Sequence, residues 1–273
     1  MKNVLVTGCS SGYGLATAHH FLDHGWNVVA TMRAPKPVAG LPASDKLRTV
    51  PLDVTDRASI TSAVREAISA FGGLDAVVNN AGIGLLSAFE ATPESLTREL
   101  FETNTFGTMA VSQAVIPHFR ERRAGTLINV TSSVGIVPMP LVAAYVASKY
   151  AVEGFTESLA YELSFFGIRT KIVQPGYGPG TAFIANSTDR MKGLVPPSYA
   201  PYVDQIMSGH AGAKTTAGDD VARAVFLAAT DGSKRLRYAA GPDAEDLAAM
   251  RRAQPGDDYL ETMRAFVGPK SAA

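Results

Sequence analysis

Short apolar runs alternate along the chain with longer stretches whose apolar residues recur at helical spacing. The runs Asn3–Thr7, Asn27–Met32, Leu47–Leu52, Leu74–Asn79, Thr126–Val130 and Arg169–Gln174 read as buried strands. Between them, Leu15, Ala18, Phe21 and Leu22 mark one helical face, and Ile60, Val64, Ala67, Ile68 and Phe71 another. Thr92-Pro93-Glu94 reads as a helix start, with Thr92 as cap, and that helix is expected to extend to about Phe119. A long helix over Ala144–Phe166 follows, and Asp219 or Asp220 is expected to cap another through Val221, Val225, Phe226 and Ala229. Arg237–Ala240 reads as the last strand. Strands alternating with helices predict one α/β domain over residues 1–273, built on a doubly wound parallel sheet. Ala34–Ser44 is rich in Pro and Gly and reads as loop. Residues 183–214 show no clear period and are expected to form an irregular substrate lid. Residues 243–273 read as a charged, helical C-terminal tail, and no chemistry is assigned to them.

Composition narrows the classes. With 25 basic and 25 acidic residues the net charge is zero, so no basic face for nucleic acid is expected. A single cysteine, Cys9, excludes an internal disulfide and fits a reducing compartment. No apolar run reaches membrane-spanning length, and no leader is expected before the first strand. The expectation is a soluble, cytoplasmic protein. His19, His20, His24 and His118 show no metal-ligand spacing.

Two stretches carry chemistry. Gly8-Cys-Ser-Ser-Gly12-Tyr13-Gly14 joins the first strand to the first helix. Strand, glycine loop and helix in that order form a phosphate site, because glycine lets the backbone approach and the helix N-terminus offers free N–H donors. The second stretch is Tyr145-Val-Ala-Ser-Lys149 near the start of the long helix. A four-residue spacing puts both side chains on one helical face. A lysine ammonium there favours the phenolate and moves a phenol, ordinarily near ~10, toward the range a general acid or base needs. Ser132 lies thirteen residues before Tyr145, at the end of an apolar run.

This Ser132, Tyr145 and Lys149 arrangement resembles the catalytic signature of the short-chain dehydrogenase/reductase family, in its shorter, single-domain branch. The loop Thr7-Gly8-x-x-x-Gly12-x-Gly14 is similar to that family's own glycine motif, and Asn79-Asn80-Ala81-Gly82 resembles its second signature. The resemblance covers about Asn3 to Thr181. It implies a Rossmann-type fold and hydride transfer between a nicotinamide cofactor and a carbonyl or alcohol. Tyr145 would move the hydroxyl proton, and Ser132 would bond the reacting oxygen. Ser133 stays open as the alternative serine. Lys149 would lower the Tyr145 pKa and bind the nicotinamide ribose, and Asn104, in Asn104-Thr-Phe-Gly107, would support a water relay. A cofactor-binding regulator on the same fold is the alternative function.

The resemblance also assigns cofactor contacts. Gly8, Ser10, Ser11, Gly12, Tyr13 and Gly14 form the phosphate loop, and Asn80, Ala81 and Gly82 lie at a strand's carboxyl end, where such sheets bind cofactor. Asp53 and Val54 occupy the place of the adenine contact. Pro175, Gly176 and Thr181 occupy that of the nicotinamide-end turn, with Thr181 one place later than usual. The second strand ends on Met32-Arg33 rather than on the acid that would bind the ribose hydroxyls of NAD. Arg33 suits a 2′-phosphate, assisted by Ser10 and Ser11, so NADP(H) is expected over NAD(H). The substrate is expected to be bulky and apolar, received by Leu85, Leu86, Pro138, Met139, Leu141 and the lid from Phe183 to Met207. Arg190 and Lys192 leave room for an anionic group on it. A homodimer or homotetramer is expected, paired through the helices Thr97–Phe119 and Ala144–Phe166. On the second, Phe155, Leu159, Leu163 and Phe166 offer more apolar surface than one core face needs.

Overall fold

The computed structural model describes residues 1–35, 41–209 and 212–267. Pro37 and Gly40 of the expected loop, residues 210–211 of the expected lid, residues 268–273 of the tail, and the side chains of Ile184 and Met207 lie outside the described residues. The strands are β1 (Asn3–Val6), β2 (Asn27–Met32), β3 (Leu47–Pro51), β4 (Ala76–Asn79), β5 (Gly125–Val130), β6 (Ile168–Pro175) and β7 (Arg237–Ala240). They form one sheet in the order β3-β2-β1-β4-β5-β6-β7, every neighbouring pair parallel.

Both faces of the sheet are covered, which is why its strands read as continuous apolar runs. Successive side chains point to opposite faces. Val4, Val6, Val28, Ala30 and Val78 pack against α1 (Gly12–Asp23) and α8 (Gly218–Thr230) through Phe21 and Val225. Leu5, Val29, Val77 and Leu127 pack on the other face, against α2 (Arg57–Phe71), α4 (Gly107–Arg122) and α5 (Ala143–Ser164). Trp26 is buried and meets Phe21 edge-on, a packing role.

Several expectations are corrected. Thr92 does not cap a helix. Pro93 holds the cap position of α3 (Glu94–Leu100), while the Thr92 hydroxyl turns back to the Ala88 carbonyl. The helix expected to reach Phe119 is interrupted by a π-helical turn, Phe101–Phe106, before α4. Asp219 and Asp220 lie inside the first turn of α8. Ala217 holds the cap position, and the Asp220 carboxylate reaches back to accept its N–H. The lid is not irregular: it holds α6 (Ala182–Met191) and α7 (Ala200–Gly209), separated by Gly193, Pro196 and Pro197. Each is ten residues long, below the span over which a helical period shows. The tail is helical, as α9 (Pro242–Ala253) and α10 (Asp258–Val267). On α5, Leu159 and Leu163 are core, and Phe155 on the helix and Phe166 just past it pack against that core. The surplus apolar surface there is Tyr161 and Phe165, 82% and 75% exposed. Among the described residues no helix is long and apolar enough to cross a membrane.

Candidate active site

Chain winding reverses between β1 and β4, which opens a crevice beyond their carboxyl ends. The two strand ends are tied together. The Asn80 amide donates to the Thr7 carbonyl at 2.9 Å, and the Thr7 hydroxyl accepts from the backbone N–H of Asn80 at 2.9 Å and of Ala81 at 3.0 Å. Gly8 adopts φ 76°, and a Cβ on Gly14 would land on the Gly8 carbonyl oxygen. The Ser11 side chain makes no bond to the start of α1, whose first N–H groups lack intrahelical partners. A bare backbone loop leading into a helix N-terminus fits a pyrophosphate. Gly8, Ser10, Ser11, Gly12, Tyr13, Gly14, Asn80, Ala81 and Gly82 are thus brought to one place.

Tyr13 links this loop to the turn after β6, its hydroxyl 3.5 Å from the Gly176 carbonyl. Burial, then the charges of Asp243, Tyr145 and Asp220, push its pKa up, so it stays a protonated donor. Thr181 faces Gly12 across the crevice, and its hydroxyl donates to the Gly178 carbonyl at 2.8 Å. Cys9, in the middle of the loop, turns into the core; burial pushes its thiol up to about 12. Arg33 stands exposed just past β2. The Asp53 carboxylate is occupied locally: its Oδ1 accepts from the Thr55 N–H at 2.9 Å and hydroxyl at 2.7 Å. Those bonds, and Arg33 nearby, hold its carboxyl below the usual range against partial burial. Val54 packs against Gly107 at the start of α4.

Tyr145, Lys149 and Glu153 lie along one face of α5, a turn apart. Of the two candidate serines, Ser132 reaches the Tyr145 phenol. Ser133 is buried in the turn that Ser132 caps through the Val134 N–H. Burial pushes the Tyr145 pKa up to about 12, with the Ser132 bond opposing. This corrects the expectation that Lys149 depresses it. The Lys149 ammonium donates to the Val130 carbonyl at 3.2 Å and lies 5.8 Å from the Tyr145 ring centre, so desolvation of the phenol prevails here. Burial also pushes Lys149 down to about 8, against the pull of the Glu153 carboxylate.

Asn104 sits in the π-helical turn and is buried. Its amide clamps Ile83 from both sides: Nδ2 donates to the Ile83 carbonyl at 2.9 Å, and Oδ1 accepts the Ile83 N–H at 2.8 Å. Nδ2 also bonds the Ser148 hydroxyl at 3.1 Å, which donates to the Tyr145 carbonyl at 2.7 Å. A Cβ on Gly82 would lie 3.1 Å from Asn104 Oδ1 and 3.5 Å from Lys149 Nζ. Asn104 therefore fixes the Gly82 loop beside Lys149.

Apolar residues pack beside Tyr145, which stays partly exposed. Leu85, Leu100, Ala144 and Leu194 form a buried cluster with Ile83, Leu96 and Tyr145 at its edge. The lid is pinned there by an Ala88 N–H bond to the Leu194 carbonyl at 2.9 Å and by Arg190 to Glu99 at 3.0 Å. That ion pair engages the Arg190 guanidinium, one of the two cations expected near a substrate anion. Leu141 has φ 60° and is anchored by the Ser87 N–H on its carbonyl at 2.7 Å.

Three further residues join the site in three dimensions: Ser148, Glu153 and Asp243. Asp243 belongs to the tail, yet its carboxylate accepts from the Tyr177 N–H at 2.6 Å and from the Thr216 hydroxyl. It braces the turn of Pro175 and Gly176. Glu153 had a visible sign: an acid at the next turn after Lys149, among residues that face the core.

The family model for the short chain dehydrogenase matches residues 2–192. The chain belongs to the short-chain dehydrogenase family. It is 36% identical to the uncharacterized oxidoreductase YusZ of Bacillus subtilis over 251 residues, which are 88% of this chain and 89% of that one. It is 39% identical to 3-ketodihydrosphingosine reductase of Bacteroides thetaiotaomicron over 173 residues, 63% of this chain and 62% of that one. A short-chain dehydrogenase structure from Streptomyces avermitilis superposes with a TM-score of 0.76 at 32% identity, covering 97% of this chain and 93% of the other. Solved relatives carry either cofactor. ElxO holds NADPH (TM-score 0.74, 26% identity, 87% and 96% covered), and the 3-ketoacyl-(acyl-carrier-protein) reductase of Brucella melitensis holds NADH (TM-score 0.71, 30% identity, 89% and 98% covered). This short-chain dehydrogenase is accordingly an oxidoreductase of the nicotinamide-dependent kind.

Proposed function

We propose that the protein transfers hydride between NADP(H) and a bulky, largely apolar carbonyl or alcohol. The observation that carries this reading is the Tyr145 phenol, within reach of Ser132 and lying at the edge of the Leu85–Leu194 apolar cluster. When bound, the nicotinamide supplies or accepts the hydride. Ser132 and the Tyr145 hydroxyl hold the substrate oxygen, and Tyr145 gives or takes its proton. Lys149 supplies a cation beside Tyr145 and a donor for the ribose. Asn104 keeps the Gly82 loop in register with Lys149. Arg33, exposed just past β2, would pair with a 2′-phosphate, and this supports NADP(H). The relative that acts on a 3-ketodihydrosphingosine supports an apolar substrate of substantial size.

The test is NADPH oxidation over a series of ketones of increasing apolar length. Each CH₂ buried adds about 0.8 kcal/mol, roughly fourfold in kcat/KM, until the pocket fills. A flat series, with small polar carbonyls turning over best, would reject the apolar pocket.

A further inference from the structure

Glu153 is an acid where the fold has little use for one. It is 5% exposed, on the face of α5 that carries Tyr145 and Lys149. A buried carboxylate costs several kcal/mol unless it is paired and hydrogen-bonded. Glu153 is both. Its Oε1 accepts from the Thr131 hydroxyl at 2.6 Å and from the Gln174 amide at 3.0 Å, and its Oε2 accepts from Arg237 Nε at 2.9 Å.

Each partner leads to the site. Thr131 precedes Ser132, and Lys149 holds the neighbouring Val130 carbonyl. One face of α5 thus grips two consecutive residues at the end of β5. Gln174 precedes the turn of Pro175 and Gly176 at the end of β6. Arg237 opens β7 and also pairs with Glu157 at 2.9 Å, which leaves it shared between two carboxylates. The backbone of Gly135 lies against Glu153, so that turn contributes no charge. Tyr150, on α5, also lies in the field of Glu153 and in that of Arg251 from α9.

We propose that Glu153 is a positioning residue, whose carboxylate, bonded to Thr131, Gln174 and Arg237, maintains the positive charge of Lys149 and aligns the loops bearing Ser132 and Pro175-Gly176. It rests on the reading of Lys149 as a cofactor-binding cation. Lys149 is pushed toward neutrality by its own burial, and Glu153 is the charge that opposes this. Arg237 weakens that opposition, since it neutralises part of the same carboxylate.

The two partners of this ion pair therefore act on Lys149 with opposite sign. The experiment is NADPH and NADH affinity, followed by cofactor fluorescence from pH 6 to about 10, a range bracketing the ordinary Lys value. Wild type should lose affinity on the alkaline side as Lys149 deprotonates, and Lys149→Met should lack that limb. Glu153→Gln should shift the limb toward acid by on the order of one pH unit, and Arg237→Gln should shift it toward alkali. Glu153→Asp, which keeps the charge, should leave the limb near its place. Thermal melts should show both Glu153→Gln and Arg237→Gln less stable than wild type. If Glu153→Gln does not fold, Glu153→Asp and Arg237→Gln carry the test. Limbs that stay fixed, or move the same way in both variants, reduce the pair to a structural strut and overturn the proposal, as does a limb that survives Lys149→Met. Because the readout is binding, it is independent of finding a substrate: limbs that move as stated with no ketone turned over would sink the proposed reaction alone.

Discussion

The Phe183 ring on α6 lies 5.9 Å, centre to centre, from the Tyr145 ring on α5, tilted by 55°. Gly84 makes the approach possible, since a Cβ there would sit 2.5 Å from the edge of Phe183. The Phe183 ring thereby covers part of the phenol, and burial is what pushes the Tyr145 pKa up. Phe183→Ala should let Tyr145 ionise nearer the ordinary value of ~10. Gly84→Ala, which displaces the ring, should act in the same direction. The measurement is a phenolate absorbance titration, with Tyr145→Phe subtracted in each background. An unmoved midpoint would show that Phe183 does not shield the phenol.

Tyr145→Phe keeps the ring and removes the proton donor. Turnover should fall by roughly 10²–10⁴ or more, while the cofactor dissociation constant stays close to wild type. Near-normal turnover would reject Tyr145 as the acid–base group. Intact cofactor binding with no wild-type turnover on any carbonyl would favour a regulator.

Arg33 follows β2 with an exposed side chain, next to the locally bonded Asp53. A charge-assisted contact to a 2′-phosphate is worth about 1.5–3 kcal/mol, roughly 10- to 150-fold. Wild type should bind NADPH more tightly than NADH, and Arg33→Ala should narrow the gap by about that factor. Titration of both cofactors checks it, and equal wild-type constants would refute the preference.

Tyr161 on α5 and Phe165 at its C-terminal cap stand exposed one turn apart, and Phe106, before α4, is 50% exposed. Apolar side chains aligned on one helix mark a contact surface. Light scattering at micromolar concentration should give the mass of a dimer or tetramer, and Tyr161→Lys with Phe165→Glu should lower it. A monomer in the wild type would count against this.

Beyond the site, buried Lys171 on β6 donates to Tyr238 at 2.9 Å and pairs with Asp231. The Asp231 carboxyl is held well below its usual range: partial burial opposes this, but bonds from Tyr238 and Ser233 and the Lys171 charge prevail. A carboxyl depressed in the folded state adds stability above its unfolded pKa of ~3.9 and loses it as pH falls through the folded value. Asp231→Asn should therefore melt earlier than wild type at neutral pH, with the gap closing in strong acid. A gap that is constant from pH 7 to about 2 would contradict the linkage.

The chemistry-bearing residues were legible because local order expresses them. A strand, a glycine loop and a helix in sequence specify the phosphate cradle, and spacing on one helix brings Tyr145 and Lys149 together. Strand positions were legible for a related reason: a parallel sheet covered on both faces needs unbroken apolar runs. The lid was not, since α6 and α7 are too short to show a period.

What only tertiary structure decided comes from residues distant in the chain. Burial, not the neighbouring lysine, governs the Tyr145 phenol, because Lys149 turns to a carbonyl on β5. Asp243 reaches the turn after β6 from 66 residues away, and Arg237 meets Glu153 across 84. Sequence alone determined which elements form and which side chains share a helical face, because those follow from short-range periodicity. Desolvation and charge pairing depend on which surfaces meet when the sheet closes over its helices, and no local pattern encodes that meeting.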